Sequence, residues 1–340
     1  MKIAFFDAKP YDVESFTKIN ERYNYEITYF ESRLKKNNVA LTKGFDVVCV
    51  FVNDIIDKEI IDSLAENGIK LIALRCAGYN NVDFKSINDR LRVVRVPSYS
   101  PYSIAEHTVA LILSLNRKIH RAYIRTKEAN FSLNGLMGFD LNGKTAGIIG
   151  TGRIAKIVIK ILRGFGMRVI AYDLYRDEIA SKDLGFDYVE LDELYRKSDI
   201  ISLHCPLTAE TEYLIRKESI DKMKDGVMIV NTGRGKLLDT VALINGLKSK
   251  KIGMAALDVY EEEADYFFED YSDKLLNDDI LARLLTFNNV LITSHQAFFT
   301  EEALSDIAEI TLKNIRDFQR GREIENEVKY ICDEKGCSWK

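Results

Sequence analysis

The chain has 340 residues, of which 46% are hydrophobic and 29% charged, with a formal net charge of −4 and a pI near 5.8. That length favours two domains, each able to bury its own core, and the acidic balance argues against a nucleic-acid or polyanion partner. The opening "MKIAFFDAKPYDVESF" turns polar too soon for a secretory signal, and no apolar run approaches the roughly 18 residues of a membrane span, so a cytoplasmic protein without a membrane partner is expected.

Taken in order, short apolar runs alternate with amphipathic helical segments, the pattern of parallel α/β folds. "IAFF", "VVCVFV", "KLIALRCA" and "RVVRVP" come first, with helix-like stretches such as "DKEIIDSLAENG" between them. Two of only four prolines, Pro97 and Pro101, then bracket "SYS". Proline is well tolerated in a first helical turn and extends the residue before it. "PYSIAEHTVALILSLNRKIHRAYIRTKEA" therefore reads as one long connecting helix after a crossover. A second α/β series follows: "TAGIIG", "RVIAYD", "DIISLHCP", "GVMIVNT", "IGMAALDV" and "VLIT". A return crossover falls near "TSHQAFF", and "TEEALSDIAEITLKNIRDFQRG" reads as a terminal helix. The expected architecture is two doubly wound parallel-sheet α/β domains, one inserted in the other. The discontinuous domain takes residues 1–99 and 297–334, the inserted one 100–296, and 335–340 form a tail.

The mid-chain string "GTGRIA" (Gly150 to Ala155) sits where a dinucleotide-binding turn belongs. "KTAGIIG" before it is a buried-strand run, an amphipathic helix follows, and the next strand ends in Asp173, 21 residues after Gly152. A carboxylate there receives the adenosine ribose hydroxyls. Gly150 and Gly152 allow the tight turn and the close approach of a pyrophosphate to a helix N-terminus. The usual third glycine serves only helix–strand packing, so Ala155 is a tolerated methyl group. Asp173 also repels a 2′-phosphate, which favours NAD over NADP, although Arg176 could soften the preference.

Five cysteines are scattered; Cys49, Cys76 and Cys205 lie in apolar runs and read as reduced core thiols. Cys332 and Cys337 have no second pair or neighbouring histidine, so no metal site is expected. Of four histidines, His120 among "RKIHR" reads as a solvated helix residue and His107 as structural. His204 ends one strand and His295 follows another. Sites in such folds form beyond the carboxyl ends of strands. Two further strand ends supply Arg234, in "VNTGRG", and Asp258 with Glu263, in "DVYEEE". Guanidinium, carboxylate and imidazole at successive strand ends suit reduction of a small keto acid. The arginine clamps the substrate carboxylate, and the ring protonates the carbonyl oxygen as hydride arrives, with a carboxylate favouring the charged ring.

"RCAGYNNVD", "VPSYSPYSIAEH", "GTGRIA" with Asp173, "SLHCPLT", "VNTGRG", "DVYEEE" and "SHQAFF" together resemble the D-isomer-specific 2-hydroxyacid dehydrogenases, over about residues 1–330. The resemblance implies two Rossmann-like or flavodoxin-like domains, the NAD domain inserted in the substrate domain, and a homo-oligomer. It implies Arg234, Glu263 and His295 as catalytic, with Glu263 matched by spacing and Glu261 and Glu262 left open. Ala77 and Gly78 would bind the substrate carboxylate, and Phe51, Tyr99 and Phe298 would shape the pocket, alongside Arg234 and His295. For the cofactor it implies Arg153 and Ile154 at the pyrophosphate, with Gly150 and Gly152, and Asp173 at the ribose. Cys205, Pro206 and Thr211 would line the adenosine side; Thr232, Gly233, Arg234, Asp258 and His295 would lie towards the nicotinamide. The acidic aromatic stretch at 264–281 resembles an extension of the fermentative lactate branch, and reads as a surface loop or subunit contact. The implied reaction is NADH-dependent reduction of pyruvate to D-lactate between two closing domains. Two other readings stay open: reduction of bulkier keto acids such as 2-ketoisocaproate or phenylpyruvate, and a non-catalytic NAD-sensing binder.

Overall fold

The apolar runs become parallel strands in the computed structural model, which describes residues 1–87, 90–263, 266–333 and 336–339. The chain divides into two compact units, residues 1–100 with 299–340, and residues 101–298.

The first unit starts with β1 (Lys2–Phe5), α1 (Pro10–Asn20), β2 (Glu26–Tyr29), β3 (Val47–Val50), α2 (Lys58–Glu66), β4 (Leu71–Leu74) and β5 (Arg92–Val94). The strands form one parallel sheet in the order β2-β1-β3-β4-β5. Every residue of β3 and β4 is buried, as expected for strands covered on both faces, which read as continuous apolar runs. The Asp57 carboxylate caps α2 by accepting from Ile60 N, and the helix buries Ile60, Ile61 and Leu64.

The second unit contains α3 (Pro101–Arg117), α4 (Ile119–Lys127), β6 (Thr145–Ile149), α5 (Arg153–Gly164), β7 (Arg168–Tyr172), α6 (Glu178–Leu184), β8 (Asp187–Tyr188) and α7 (Leu191–Lys197). It continues through β9 (Ile200–Leu203), α8 (Lys217–Asp221), β10 (Val227–Asn231), α9 (Thr240–Ser249), β11 (Ile252–Leu257), α10 (Asp279–Leu285) and β12 (Val290–Ile292). Its seven parallel strands run β12-β11-β10-β9-β6-β7-β8. The order reverses between β6 and β9, so the loops after these strands diverge and leave a crevice at the sheet's carboxyl edge. One face of the sheet packs on α3 and α5 through Ala105, Ile112, Ala155, Val158 and Leu162. The other face packs on α8, α9 and α10 through Ile220, Leu243, Leu247 and Leu284. Each of the larger aliphatic groups contributes about 1.5–3 kcal/mol by burial.

The expected single helix from Pro101 onward is two helices. Lys118 adopts φ 51° and ψ 38° between α3 and α4, a left-handed conformation that interrupts the helical bonding ladder, and its Nζ donates to Met137 O at 2.5 Å. His120, expected to be solvated, is half-buried on α4, and burial lowers its pKa.

After the second unit the chain re-enters the first through α11 (Glu301–Gln319), capped by the Thr300 hydroxyl on Ala303 N. Arg92 ties the return by donating from Nε and Nη2 to the two Glu327 oxygens, both at 2.6 Å. Strands β13 (Tyr330–Asp333) and β14 (Gly336–Trp339) then pair as an antiparallel hairpin. The expected tail at 335–340 is therefore in part a strand, with residues 335 and 340 outside those described. The side chains of Cys332 and Cys337 also lie outside the described residues.

Candidate active site

The turn after β6 is set by backbone geometry. Gly150 has φ 89°, and a Cβ there would lie 2.6 Å from Cys205 N, so only glycine lets the loops after β6 and β9 approach. At Gly152 a Cβ would meet nothing within 4 Å, so space remains beside the first turn of α5. That helix starts behind Gly152 with no side chain capping its N–H groups, which leaves Arg153 and Ile154 able to donate to an anion. Ala155 is fully buried in the core beneath α5, where a third glycine would only have eased packing.

Asp173, one residue past β7, is held by its neighbours. Its Oδ2 accepts from Thr151 N at 2.6 Å and the Thr151 hydroxyl at 2.9 Å, and its Oδ1 accepts from Tyr175 N at 2.9 Å. Partial burial pushes this carboxyl up, but the N–H groups of Tyr175 and Thr151 and the Thr151 hydroxyl outweigh it and hold the group below the ordinary aspartate value. An ionised carboxylate keeps further lone pairs for ribose hydroxyls. A turn open only to glycine, free space at Gly152, uncapped N–H groups and an ionised carboxylate fit an NAD dinucleotide. Across the crevice, burial pushes the half-exposed Cys205 thiol up to about 11. Beyond it the Thr211 hydroxyl donates to Pro206 O at 2.7 Å and closes that loop.

Three adjacent strands of the sheet, β10, β11 and β12, carry the proton-transfer candidates at their carboxyl ends. After β10, the buried Asn231 side chain accepts from Gly233 N at 3.0 Å and donates to Arg234 O at 2.8 Å, templating the turn through Thr232. Gly235 is required because a Cβ would sit 2.1 Å from Tyr260 O. Arg234 Nη1 donates to Gly233 O at 2.8 Å, and the rest of the planar fork has donors to offer a carboxylate.

After β11, three acidic residues compete, and the geometry separates them. Glu261 accepts from Thr240 N and the Tyr213 hydroxyl, at 2.7 and 2.9 Å, and Glu262 is exposed. Glu263 Oε1 lies 2.9 Å from His295 Nδ1, while its Oε2 accepts from Tyr260 N at 3.1 Å. An ionised carboxylate only accepts, so His295 Nδ1 carries the hydrogen and Nε2 is the nitrogen available for proton transfer. His295 has φ 52°, an uncommon conformation for a residue with a side chain. It is fixed by its own N–H, which donates to Asp258 O at 2.7 Å, and the ring of Phe268 lies 6.0 Å away. Phe298, three residues on, is buried with its ring 6.5 Å from that of Phe268.

Asp258 is fully buried. Its Oδ1 accepts from the Thr293 hydroxyl at 2.5 Å and Gln296 N at 2.9 Å, and its Oδ2 from Ala297 N at 2.9 Å. Its carboxylate thus grips the His295 loop, a role that the pattern of strand ends does not reveal. Thr293 and His107 join it there; His107 ends the string "VPSYSPYSIAEH", but nothing in the sequence directs either residue to Asp258. His204, the other strand-end histidine, has Nε2 2.9 Å from Ser202 Oγ and is driven down to about 4 by burial, so its ring is neutral at pH 7.

The first unit holds the other expected contacts. The half-buried Phe51 lies beneath the Arg75 guanidinium, 4.8 Å from the ring centre. Its N–H donates to Asp54 Oδ2 at 2.6 Å and its carbonyl accepts from Asn81 Nδ2 at 3.0 Å. Ala77 O accepts from Arg95 Nη1 at 2.8 Å, and Gly78 O accepts from Cys76 Sγ at 3.2 Å. Tyr99 is half-buried, one residue before the unit's boundary at Ser100.

The chain is similar to known proteins over nearly its whole length. The NAD binding domain model of the D-isomer specific 2-hydroxyacid dehydrogenases matches residues 109–297. A 2-hydroxyacid dehydrogenase homolog of Haemophilus influenzae is 52% identical over 329 residues, covering 96% of this chain and 99% of the relative. The D-lactate dehydrogenase of Escherichia coli is 47% identical over 329 residues, with coverages of 96% and 100%. The solved apo structure of D-lactate dehydrogenase from Escherichia coli superposes with a TM-score of 0.89 at 45% identity, covering 96% of this chain and 99% of that one.

Proposed function

The chain belongs to the D-isomer specific 2-hydroxyacid dehydrogenase family, and on that premise we propose that it reduces pyruvate to D-lactate with NADH, reversibly. The observation that carries this reading is the 2.9 Å contact of His295 Nδ1 with Glu263 Oε1, set one strand away from Arg234. Resemblance to a named D-lactate dehydrogenase along the whole chain supports pyruvate over a bulkier keto acid.

When bound, NADH supplies the two-electron reducing equivalent. His295 gives the proton: Nε2–H of the imidazolium donates to the carbonyl oxygen, which stays on its carbon and becomes the hydroxyl of lactate, and the neutral ring takes that proton back in lactate oxidation. Glu263 keeps Nδ1–H engaged throughout, so the ring cannot rotate its proton away. Arg234 orients the keto acid by binding its carboxylate with two parallel N–H groups. On the family resemblance we assign Ala77 and Gly78 as backbone donors to a substrate carboxylate, and Phe51, Tyr99 and Phe298 as pocket-wall residues.

We assign NAD to the unit of residues 101–298 and substrate binding mainly to the other. Gly150, Gly152, Arg153 and Ile154 would hold the pyrophosphate, Asp173 the ribose, and Cys205, Pro206 and Thr211 the adenosine side. Thr232, Gly233, Arg234, Asp258 and His295 would lie towards the nicotinamide. The chain acts in the cytoplasm as a homo-oligomer. Ile119, Tyr123 and Ile124 of α4, exposed at 54, 60 and 55%, and Phe131, Leu133 and Met137 in the loop beyond, at 75, 82 and 87%, are apolar groups that a second copy could cover. Among the described residues no helix is long and apolar enough to cross a membrane.

The deciding experiment is NADH oxidation by the purified protein with pyruvate, 2-ketoisocaproate and phenylpyruvate. Pyruvate should give the highest kcat/KM. Faster turnover of phenylpyruvate would move the substrate to the bulkier class. NADH binding without turnover of any keto acid would leave a cofactor-sensing role instead.

A further inference from the structure

We infer that His107 is a positioning residue for proton transfer, acting through Thr293 and Asp258 to hold the loop that carries His295. This inference rests on the dehydrogenase reading above. It starts from hydrogen-bond accounting. The Thr293 hydroxyl gives its one hydrogen to Asp258 Oδ1, 2.5 Å away. His107 Nε2 lies 3.2 Å from that hydroxyl oxygen and 3.4 Å from Asp258 Oδ1. Neither oxygen has a hydrogen left to offer, because a carboxylate only accepts. His107 Nε2 therefore carries a hydrogen and donates it into the pair, which fixes the tautomer of a neutral ring.

The donor closes a circuit around a strained residue. Asp258 is fully buried and its oxygens already accept from Gln296 N and Ala297 N, the two residues after His295. Its carbonyl accepts from His295 N. The left-handed φ of 52° at His295 persists only where the surroundings over-determine it. Thr293, two residues before His295, links that restraint to His107, the one contributor remote in sequence, on the second turn of α3. The next residue of the helix repeats the device on the neighbouring strand end. Thr108 donates its hydroxyl hydrogen to Ile104 O at 2.7 Å, so the Thr232 hydroxyl is the donor in the 2.9 Å contact between Thr232 and Thr108. Adjacent residues of α3 thus fasten the loops after β12 and β10, the first bearing His295 and the second Arg234.

Two variant pairs test this by steady-state kinetics. His107→Leu removes the donor and His107→Gln keeps an N–H near the same place. Thr293→Val removes the bridging hydroxyl and Thr293→Ser keeps it. The His107→Leu and Thr293→Val proteins should each lose about 10- to 100-fold in kcat, the scale set by small misplacement of reacting groups, with KM for NADH changed by less than about threefold. The His107→Gln and Thr293→Ser variants should recover most of the loss. Because both residues act through one link, the His107→Leu, Thr293→Val double variant should be no slower than the worse single variant. Should His107→Leu fail to fold, as read by thermal melting, the Thr293 pair carries the test alone. Overturning results are a kcat within twofold of wild type in either apolar variant, no rescue by the conservative replacements, or losses that multiply in the double variant. A wild type that turns over no keto acid removes the dehydrogenase reading and this inference with it; an active wild type with indifferent variants removes only the inference.

Discussion

Asp54 and Asp258 are both fully buried carboxylates within four residues of the end of a parallel strand, and they are put to different uses. Asp54 accepts from Phe51 N at 2.6 Å and Leu34 N at 2.7 Å, and Asn81 bridges the carbonyls of Phe51 and Asp54. It shapes its own short turn and ties that turn to Leu34, 20 residues back. Burial still prevails over Arg75 and those N–H groups and pushes its pKa up to about 6. Asp258 reaches 35 to 39 residues along the chain to accept from Thr293, Gln296 and Ala297, and so holds a loop whose ring is proposed to move a proton. A buried carboxylate surrounded by N–H groups is a template; what it templates decides whether its loss is felt in stability or in rate.

The sharpest way to establish which rate matters is His295→Gln. Losing the general acid should cost about 10²- to 10⁴-fold in kcat, measured as NADH oxidation with saturating pyruvate. Near-normal turnover would remove His295 from proton transfer and take the functional half of the comparison with it. Asp258→Asn comes next. Asparagine retains one acceptor oxygen, so the 293–297 loop loses part of its anchor, and kcat should fall about 10²-fold, the penalty of a displacement near 1 Å. Wild-type kcat in the Asp258→Asn protein would reduce Asp258 to a purely structural group.

Asp54→Asn should behave in the opposite sense, with kcat within about threefold of wild type and the effect appearing in stability. Asparagine leaves one of two buried N–H groups without an acceptor, at a cost of about 1–3 kcal/mol. The pH dependence carries its own sign. The folded value of about 6 lies above the unfolded reference of roughly 3.9, so between these values the native state keeps a proton that the unfolded chain has released. Wild-type stability from this group therefore falls as pH rises through that window, by up to about 3 kcal/mol. The Asp54→Asn variant lacks the effect, so it should be more destabilised relative to wild type at about pH 4.5 than at about pH 7 in urea melts. An equal difference at both pH values would contradict the raised value.

The two carboxylates also show what a sequence can reveal. Strand runs such as "VVCV" and "TAGII" are readable because parallel strands buried on both faces leave unbroken apolar letters. The break at Lys118 is not, since lysine is a good helix former and its left-handed backbone is a tertiary outcome. At the site, Gly150 and Asp173 are legible because the turn allows few alternatives. Family spacing points to Glu263, but only distances set aside Glu261 and Glu262, as three adjacent acids look alike in one dimension. Position along the chain puts Asp258 at a strand end, but its grip on Thr293 and its connection to His107 depend on contacts across 35 and more than 150 residues. No local pattern encodes those.

The smallest effects test a third carboxylate, Asp173, against its exposed neighbourhood. Asp173→Ala removes like-charge repulsion of a 2′-phosphate and should raise the NADPH-to-NADH ratio of kcat/KM by about tenfold or more; an unaltered ratio would deny the ribose role. Glu190→Ala should do less. Glu190 Oε1 holds Arg176 Nη2 at 2.5 Å, and that guanidinium lies 5.8 Å over the Tyr188 ring. The Tyr188 hydroxyl in turn contacts Thr151 Oγ1 at 2.8 Å, and Thr151 donates to Asp173. Freeing Arg176 would place a mobile cation three residues beyond Asp173. The pair is exposed, at 41 and 75%, and exposed ion pairs are weak and screened, so the ratio should rise only about two- to fivefold, and less as salt is added. A rise equal to that of Asp173→Ala would mean that restraint of Arg176, and not the Asp173 charge, sets the cofactor preference.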